Sequence, residues 1–109
     1  MRAHPATTHL QNGKVMITII RPEREADYIQ VSSLLKLAFD QENEARLVEH
    51  LRTGAGYIPA LSLVAILDDT VAGHIMLTRI AIVNGDVRYD ALALAPMAVH
   101  PQWQKQGVG

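Results

Sequence analysis

From Pro59 onward the chain reads as three β segments separated by short turn signals, and this pattern limits the fold more than any other part of the sequence. Residues 61–67, 71–83 and 91–99 are rich in aliphatic and β-branched side chains, with Asp68-Asp69 and Asn84-Gly85 between them. Strands that follow one another through short turns predict an antiparallel meander. Apolar residues fall on both faces, as Ile75, Met76 and Leu77 or Leu92, Ala93 and Leu94 show. Cover by helices or by another subunit is therefore expected on both sides of the sheet. Pro96 lies within the last run, where its missing N–H predicts an edge or a bulge.

Upstream, Ile17, Thr18, Ile19 and Ile20 form a β-branched run that stops at Arg21-Pro22, which predicts a first strand. From about Glu25 the positions Val31, Leu34, Leu35 and Ala38 keep i, i+3, i+4, i+7 spacing, and Tyr28 extends the stripe backwards. That spacing predicts an amphipathic helix ending near Phe39. Asp40 is placed to cap a second helix, in which Glu44, Leu47, Val48 and Leu51 repeat the pattern and Glu42 stands four residues before Arg46. Thr53-Gly54-Ala55-Gly56 ends it. The expected architecture is α/β of the α+β kind: one strand, two helices, then a three-strand meander.

Charge and cysteine content narrow the function classes. The 109 residues hold 10 Lys plus Arg against 11 Asp plus Glu, a net charge of -1, with neither sign in a block. Nucleic acids and anionic membranes require a basic face, so neither is an expected partner. The absence of cysteine excludes a disulfide framework and thiolate metal sites, and it fits the cytoplasm. No stretch approaches the ~20 apolar residues of a membrane span, and a chain of this size supports a single core. Residues 1–16 are polar and unperiodic, with His4, Pro5, Thr7, Thr8, His9, Asn12 and Gly13 among them. They are expected to be a flexible leader before one domain over 17–109. His4 and His9 have no third ligand nearby in sequence, so no metal site is expected.

Chemistry enters in the last thirteen residues, 97–109. Met97-Ala98-Val99-His100 reads as a strand end, Pro101 marks a turn, and Gln104-Lys105-Gln106-Gly107-Val108-Gly109 forms a Gln-x-x-Gly-x-Gly loop. Glycines two apart let backbone N–H groups converge without Cβ obstruction, a nest suited to an anion such as phosphate, and Lys105 adds a positive charge. An ordinary turn is the alternative for the Gly-x-Gly taken alone. No Walker-type Gly-Lys-Ser/Thr and no strand-linked Gly-x-Gly-x-x-Gly occurs, which disfavours a general nucleotide binder.

The run from Leu94 to Gly109, with Pro96, Val99-His100-Pro101 and the Gln104 to Gly109 loop, resembles motif A of the GNAT superfamily of acetyl-coenzyme A-dependent N-acetyltransferases. Ile20-Arg21-Pro22-Glu23, Glu44-Ala45-Arg46-Leu47-Val48, Leu63-Val64-Ala65 and Val71-Ala72-Gly73-His74-Ile75 resemble the front half of that family, most closely its YhbS-like bacterial members. The resemblance covers 17–109. It implies acetyl transfer from acetyl-coenzyme A to an amine acceptor. It further implies that Met97, Ala98 and Val99 line the pantetheine and thioester, and that Gln104, Lys105, Gln106, Gly107, Val108 and Gly109 contact the pyrophosphate, mostly through main-chain N–H groups. In the family a helix and further strands follow this loop, so the chain is expected to correspond to the N-terminal part of the domain. An apolar edge in the last strand is then expected to recruit a second copy. The alternative is a non-catalytic fragment that serves as an assembly or interaction module.

Amine acetylation calls for a base, and the candidates are Glu44, on the second helix, and His100, at the strand end. A solvated helical carboxylate and a turn-stabilising imidazole are the respective alternatives. His74, on an apolar strand, is weighed in the same way against a hydrogen-bonded structural histidine. Trp103 is expected to pack beside the loop, His50 to be a solvated last-turn residue, and Met76 and Met97 to be core. The acceptor is not legible.

Overall fold

The computed structural model describes residues 4–11 and 14–103, with 4–11, 14–17 and Trp103 as backbone alone. Strands β1 (His4–Gln11) and β2 (Lys14–Pro22) lead through a 3-10 turn, Glu25–Asp27, into helices α1 (Tyr28–Phe39) and α2 (Asn43–Arg52). Strands β3 (Tyr57–Leu67), β4 (Thr70–Asn84), β5 (Val87–Leu94) and β6 (Ala98–Val99) follow, and a second 3-10 turn spans Pro101–Trp103. The sheet order is β1-β2-β3-β4-β5, with β6 also on β4. Every pairing is antiparallel. The α/β expectation and the meander are both present.

The architecture differs from the sequence reading at its front. Residues 4–11, inside the stretch read as a flexible leader, form a strand whose ladder to β2 runs from His4↔Ile20 to Gln11↔Lys14. Between the last pair stands the dipeptide Asn12-Gly13, the most favoured sequence for a two-residue hairpin connection, and Thr7 and Thr8 suit a strand despite their polarity. The first strand therefore begins at Lys14, not at Ile17.

The β2-to-α1 junction is fixed by charge. The Asp27 carboxylate accepts from Arg21 through both oxygens, at 2.7 and 2.9 Å, and from the Arg24 N–H at 2.7 Å. Hydrogen bonding from Arg21 holds its carboxyl below the usual range against the opposing effect of burial. Asp40 ends α1 in the left-handed region, with φ at 54°, and Glu42 stands at the N-cap of α2, so Asp40 closes one helix instead of opening the next. Aspartate tolerates that conformation better than most residues. The expected Glu42 to Arg46 pair is present at 2.8 Å.

Both helices pack on one face of the sheet. Val31, Leu34 and Leu35 of α1 and Ala45 and Val48 of α2 meet Val64, Val71, Met76, Ala95 and Ala98 in a single cluster. The other face holds Leu67, Ala72 and Val99. Among the described residues no helix covers it, so the expectation of cover on both sides is met on one side alone. Asp68 and Asp69 both have positive φ, at 51° and 59°, as a two-residue hairpin turn requires. The next turn is Gly85-Asp86, because Asn84 still pairs with Val87; the reading from sequence placed it one residue earlier. Gly56 accepts from Arg79 N–H at 2.8 Å, and a Cβ there would stand 2.3 Å from the Arg79 carbonyl oxygen. Only glycine permits this close approach of β4 to the start of β3.

Candidate functional site

The strand expected over 91–99 is two strands with an irregularity at Pro96. Leu94 pairs with Leu77, and Ala98 with His74, so three residues, Ala95, Pro96 and Met97, stand opposite two, Ile75 and Met76. One extra residue on one side of an antiparallel pair is a β-bulge. It keeps one ladder bond, Ala95 N–H to Met76 O at 2.9 Å. Pro96 then has no N–H to continue the ladder. A second bulge lies alongside in β4, where Ala65 pairs with Gly73 but Ile66 with Val71. The Ala72 carbonyl so released accepts from His100 N–H at 2.7 Å. The two irregularities together carry β6 along β4 to His100.

Around the bulge the sequence-predicted residues separate. Ala98 is buried in the main core and Val99 half-buried against Leu67 and Ala72. Met97, read as core, is 48% exposed. The bulge turns it outward, and its side chain borders a cleft of about 130 Å³ with Ile20, Leu63, Gly73, Ile75 and Val99. This cleft lies on the face without helices and is lined mainly by aliphatic groups. Among the described residues β6 has one strand neighbour, β4. Residues Gln104, Lys105, Gln106, Gly107, Val108 and Gly109 lie outside the described residues.

The two candidate bases are not poised as bases. Glu44 sits in the first turn of α2 and accepts two hydrogen bonds from Gln41 Nε2, at 2.8 and 3.0 Å, in an exposed setting. His100 Nδ1 accepts from the Gln102 N–H at 3.1 Å, which places the proton of a neutral ring on Nε2. Its one lone pair is therefore engaged in the turn, and Nε2 offers a donor toward a groove beside Gln30, Ser33 and Thr70. His50 is exposed and Met76 is core, as expected.

The strongest electrostatic feature lies next to the bulge, beneath the helices. The Glu23 carboxylate, with 0% side-chain exposure, accepts from Arg52 Nε at 3.1 Å and Arg52 Nη2 at 2.9 Å. It also accepts from Tyr57 O–H at 3.0 Å and from the Ser62 hydroxyl. His74 Nε2 approaches its other oxygen at 3.3 Å, also with 0% side-chain exposure. Burial alone would push the Glu23 carboxyl up. Hydrogen bonds from His74, Arg52 and Ser62, with the Arg52 charge, outweigh it and hold the group far below the carboxylate range. Tyr57 moves the other way, raised well above an ordinary phenol by burial and by the Glu23 charge. Arg52 also covers the Tyr28 ring at 3.9 Å, a cation–π contact.

Of this cluster only His74 was singled out from sequence, and it takes the structural role, not that of a base. The signal for the rest was present. Ser62 and His74 share the inward face with Val64 and Met76, and two polar groups at core positions of neighbouring strands require a buried partner.

No family model matches the sequence. It is 36% identical over 86 residues, 78% of this chain, to a protein of Escherichia coli (strain K12) named an uncharacterized N-acetyltransferase, YjhQ. The chain spans about half the length of that relative, 47%. The two are homologous over that stretch. The relation is to a protein named as an acetyltransferase, and the mixed sheet-and-helix architecture is compatible with part of a GNAT-like fold. No helix among the described residues is long and apolar enough to cross a membrane.

Proposed function

We propose that the chain carries the acetyl-donor site of a GNAT-type N-acetyltransferase. The observation that carries this reading is the bulge at 95–97. A pantetheine arm is a chain of amides, and it binds most simply to a strand whose own ladder has been interrupted. Met97, Ala98 and Val99 are the proposed contacts to pantetheine and thioester. Gln104, Lys105, Gln106, Gly107, Val108 and Gly109 are the proposed contacts to pyrophosphate, following directly in sequence. The likeness to a relative named as an N-acetyltransferase supports the same activity. In the transfer, the amine nitrogen forms a bond to the acetyl carbon and the carbon–sulfur bond breaks. The proton lost by the amine balances the departing thiolate as coenzyme A thiol. Neither Glu44 nor His100 is proposed as the base. With acetyl-coenzyme A as donor, the cytoplasm is the proposed compartment.

Calorimetric titration of coenzyme A and acetyl-coenzyme A into the 109-residue chain tests this. Saturable binding that disappears when Gly107 and Gly109 are replaced by bulky residues is the expected result. No heat at millimolar ligand with a folded chain would overturn it.

A second reading, an assembly module, is favoured by the β4–β5 arm. Ile80, Ile82, Val87 and Tyr89 are exposed on one side of this hairpin, while Arg79, Arg88 and Asp90 occupy the other. Beyond β4, β5 has no strand neighbour among the described residues. An antiparallel pairing of β5 with a second copy, centred on Tyr89, sets Arg88 opposite Asp90 of the partner subunit twice. Shifting the centre to either neighbour opposes like charges. Sedimentation should show a dimer that Arg88→Asp weakens about tenfold and that the double variant Arg88→Asp, Asp90→Arg restores. A monomer at millimolar concentration would sink this pairing.

A further inference from the structure

The buried cluster and the bulge meet at one rung of the sheet. His74 is the ladder partner of Ala98, the first residue after the bulge, and both are buried on the helix-facing side. Directly opposed residues in an antiparallel pair have Cβ atoms about 4.5–5.5 Å apart, so the imidazole stands beside the Ala98 methyl. The ring is anchored at one end only. Nε2 faces the Glu23 carboxylate at 3.3 Å and the Ser62 hydroxyl at 3.5 Å, while Nδ1 is buried without a partner. The ring's position is therefore dictated by Glu23. Glu23 is in turn fixed from several sides: its N–H donates to the Ser62 carbonyl at 2.8 Å, and its carboxylate is held by α2 through Arg52 and by β3 through Tyr57 and Ser62.

We infer that His74, held by Glu23, is a positioning residue for the bulged strand: it sets where Ala98 sits and so fixes the main chain from Met97 to His100. This rests on the donor-site reading above and names what holds that site in shape. A sheet edge with a neighbour on one side and an irregular ladder has few bonds of its own to define it. Here those bonds are Ala95 N–H to Met76 O at 2.9 Å and His100 N–H to Ala72 O at 2.7 Å, one on each side of the His74 rung. The cluster supplies the missing constraint from beneath, through a ring that touches neither donor nor acceptor.

The test separates local from global loosening. His74→Phe keeps a ring of similar size and removes the anchor, and Glu23→Gln weakens the anchor itself. Asp27→Asn is the control, because it disrupts the other buried ion pair of the β2 to α1 junction without touching β4. Amide hydrogen exchange of the 109-residue chain is expected to speed up at Ala95 and His100 at least tenfold more than in the β3–β4 ladder for His74→Phe and Glu23→Gln. For Asp27→Asn the bulge and the ladder should change in step. Coenzyme A affinity should fall about tenfold in the first two variants and stay near the parent value in the control. Bulge amides that exchange in step with β3–β4 in His74→Phe would overturn the inference, and that variant decides the matter if Glu23→Gln does not fold. If the parent chain binds no coenzyme A, the donor-site reading falls, while the exchange comparison still decides what holds the bulge.

Discussion

Replacing Glu23 by alanine is expected to lower the free energy of unfolding by about 3–5 kcal/mol, the effect of breaking a buried ion pair from one side. The carboxylate is the common acceptor for Arg52, Tyr57, Ser62 and His74, and none of these has a second described partner inside the cluster that could take its place. The variant leaves the Arg52 guanidinium nearly buried without its counter-charge, with 9% side-chain exposure, and strands two hydroxyls beside it. Chemical denaturation at neutral pH measures the loss directly. The same carboxylate gives the chain a defined acid limit. Its folded pKa lies far below its unfolded value, so its stabilisation is complete above the ordinary glutamate range near pH 4.3 and disappears as pH falls below it. Asp27, also lowered by its partner Arg21, acts in the same direction. Stability in urea should therefore be nearly level between pH 7 and about pH 5 with respect to these groups, then drop steeply on further acidification. In Glu23→Ala the drop should be shallower. Tyr57 sets the opposite limit: with its folded pKa raised, its contribution is present below about pH 10 and is lost as the pH rises further.

These effects were unevenly visible in the sequence. Periodicity located both helices and the strands from β3 onward because each buries a stripe or a face, and burial leaves an apolar pattern. It failed at residues 4–11, where the strand is paired through its backbone and its polar side chains carry no period. Asp40 was misplaced because an aspartate after a helix and an aspartate before one look alike, and only the left-handed φ distinguishes them. Pro96 was legible, since a missing N–H has one consequence in a ladder. The cluster beneath it was not. Glu23, Arg52, Tyr57, Ser62 and His74 lie on four elements as far as 51 residues apart, with no spacing that groups them. Met97 shows the converse limit: its side chain is apolar, and only the bulge decides that it faces outward.

Deleting Pro96 is expected to leave the fold intact and to remove most of the coenzyme A affinity. The two ladder segments of β4 make the outcome specific. With three residues opposite two, the pairing continues after the bulge offset by one, from Leu77↔Leu94 to His74↔Ala98. Removing one residue lets Ala95 face Met76, Met97 face Ile75 and Ala98 keep His74 without shifting either flank. Side-chain direction alternates along a regular strand, so Ala95 and Ala98 stay toward the helices and Val99 stays with Leu67 and Ala72. Every buried contact on both sides of the bulge is thus preserved. Met97 N–H also joins a regular ladder, so the unfolding midpoint should be unchanged or slightly higher. What disappears is the interruption itself, and with it the main-chain groups offered to a pantetheine arm. Each hydrogen bond lost is worth about 1 kcal/mol, and 1.4 kcal/mol is a factor of ten in affinity. With the accompanying change of strand shape, the dissociation constant for coenzyme A should rise roughly a hundredfold. Replacing Pro96 by alanine keeps the extra residue and should keep most of the affinity. Equal affinity in the deletion variant and the parent would show that the bulge is not where the donor binds.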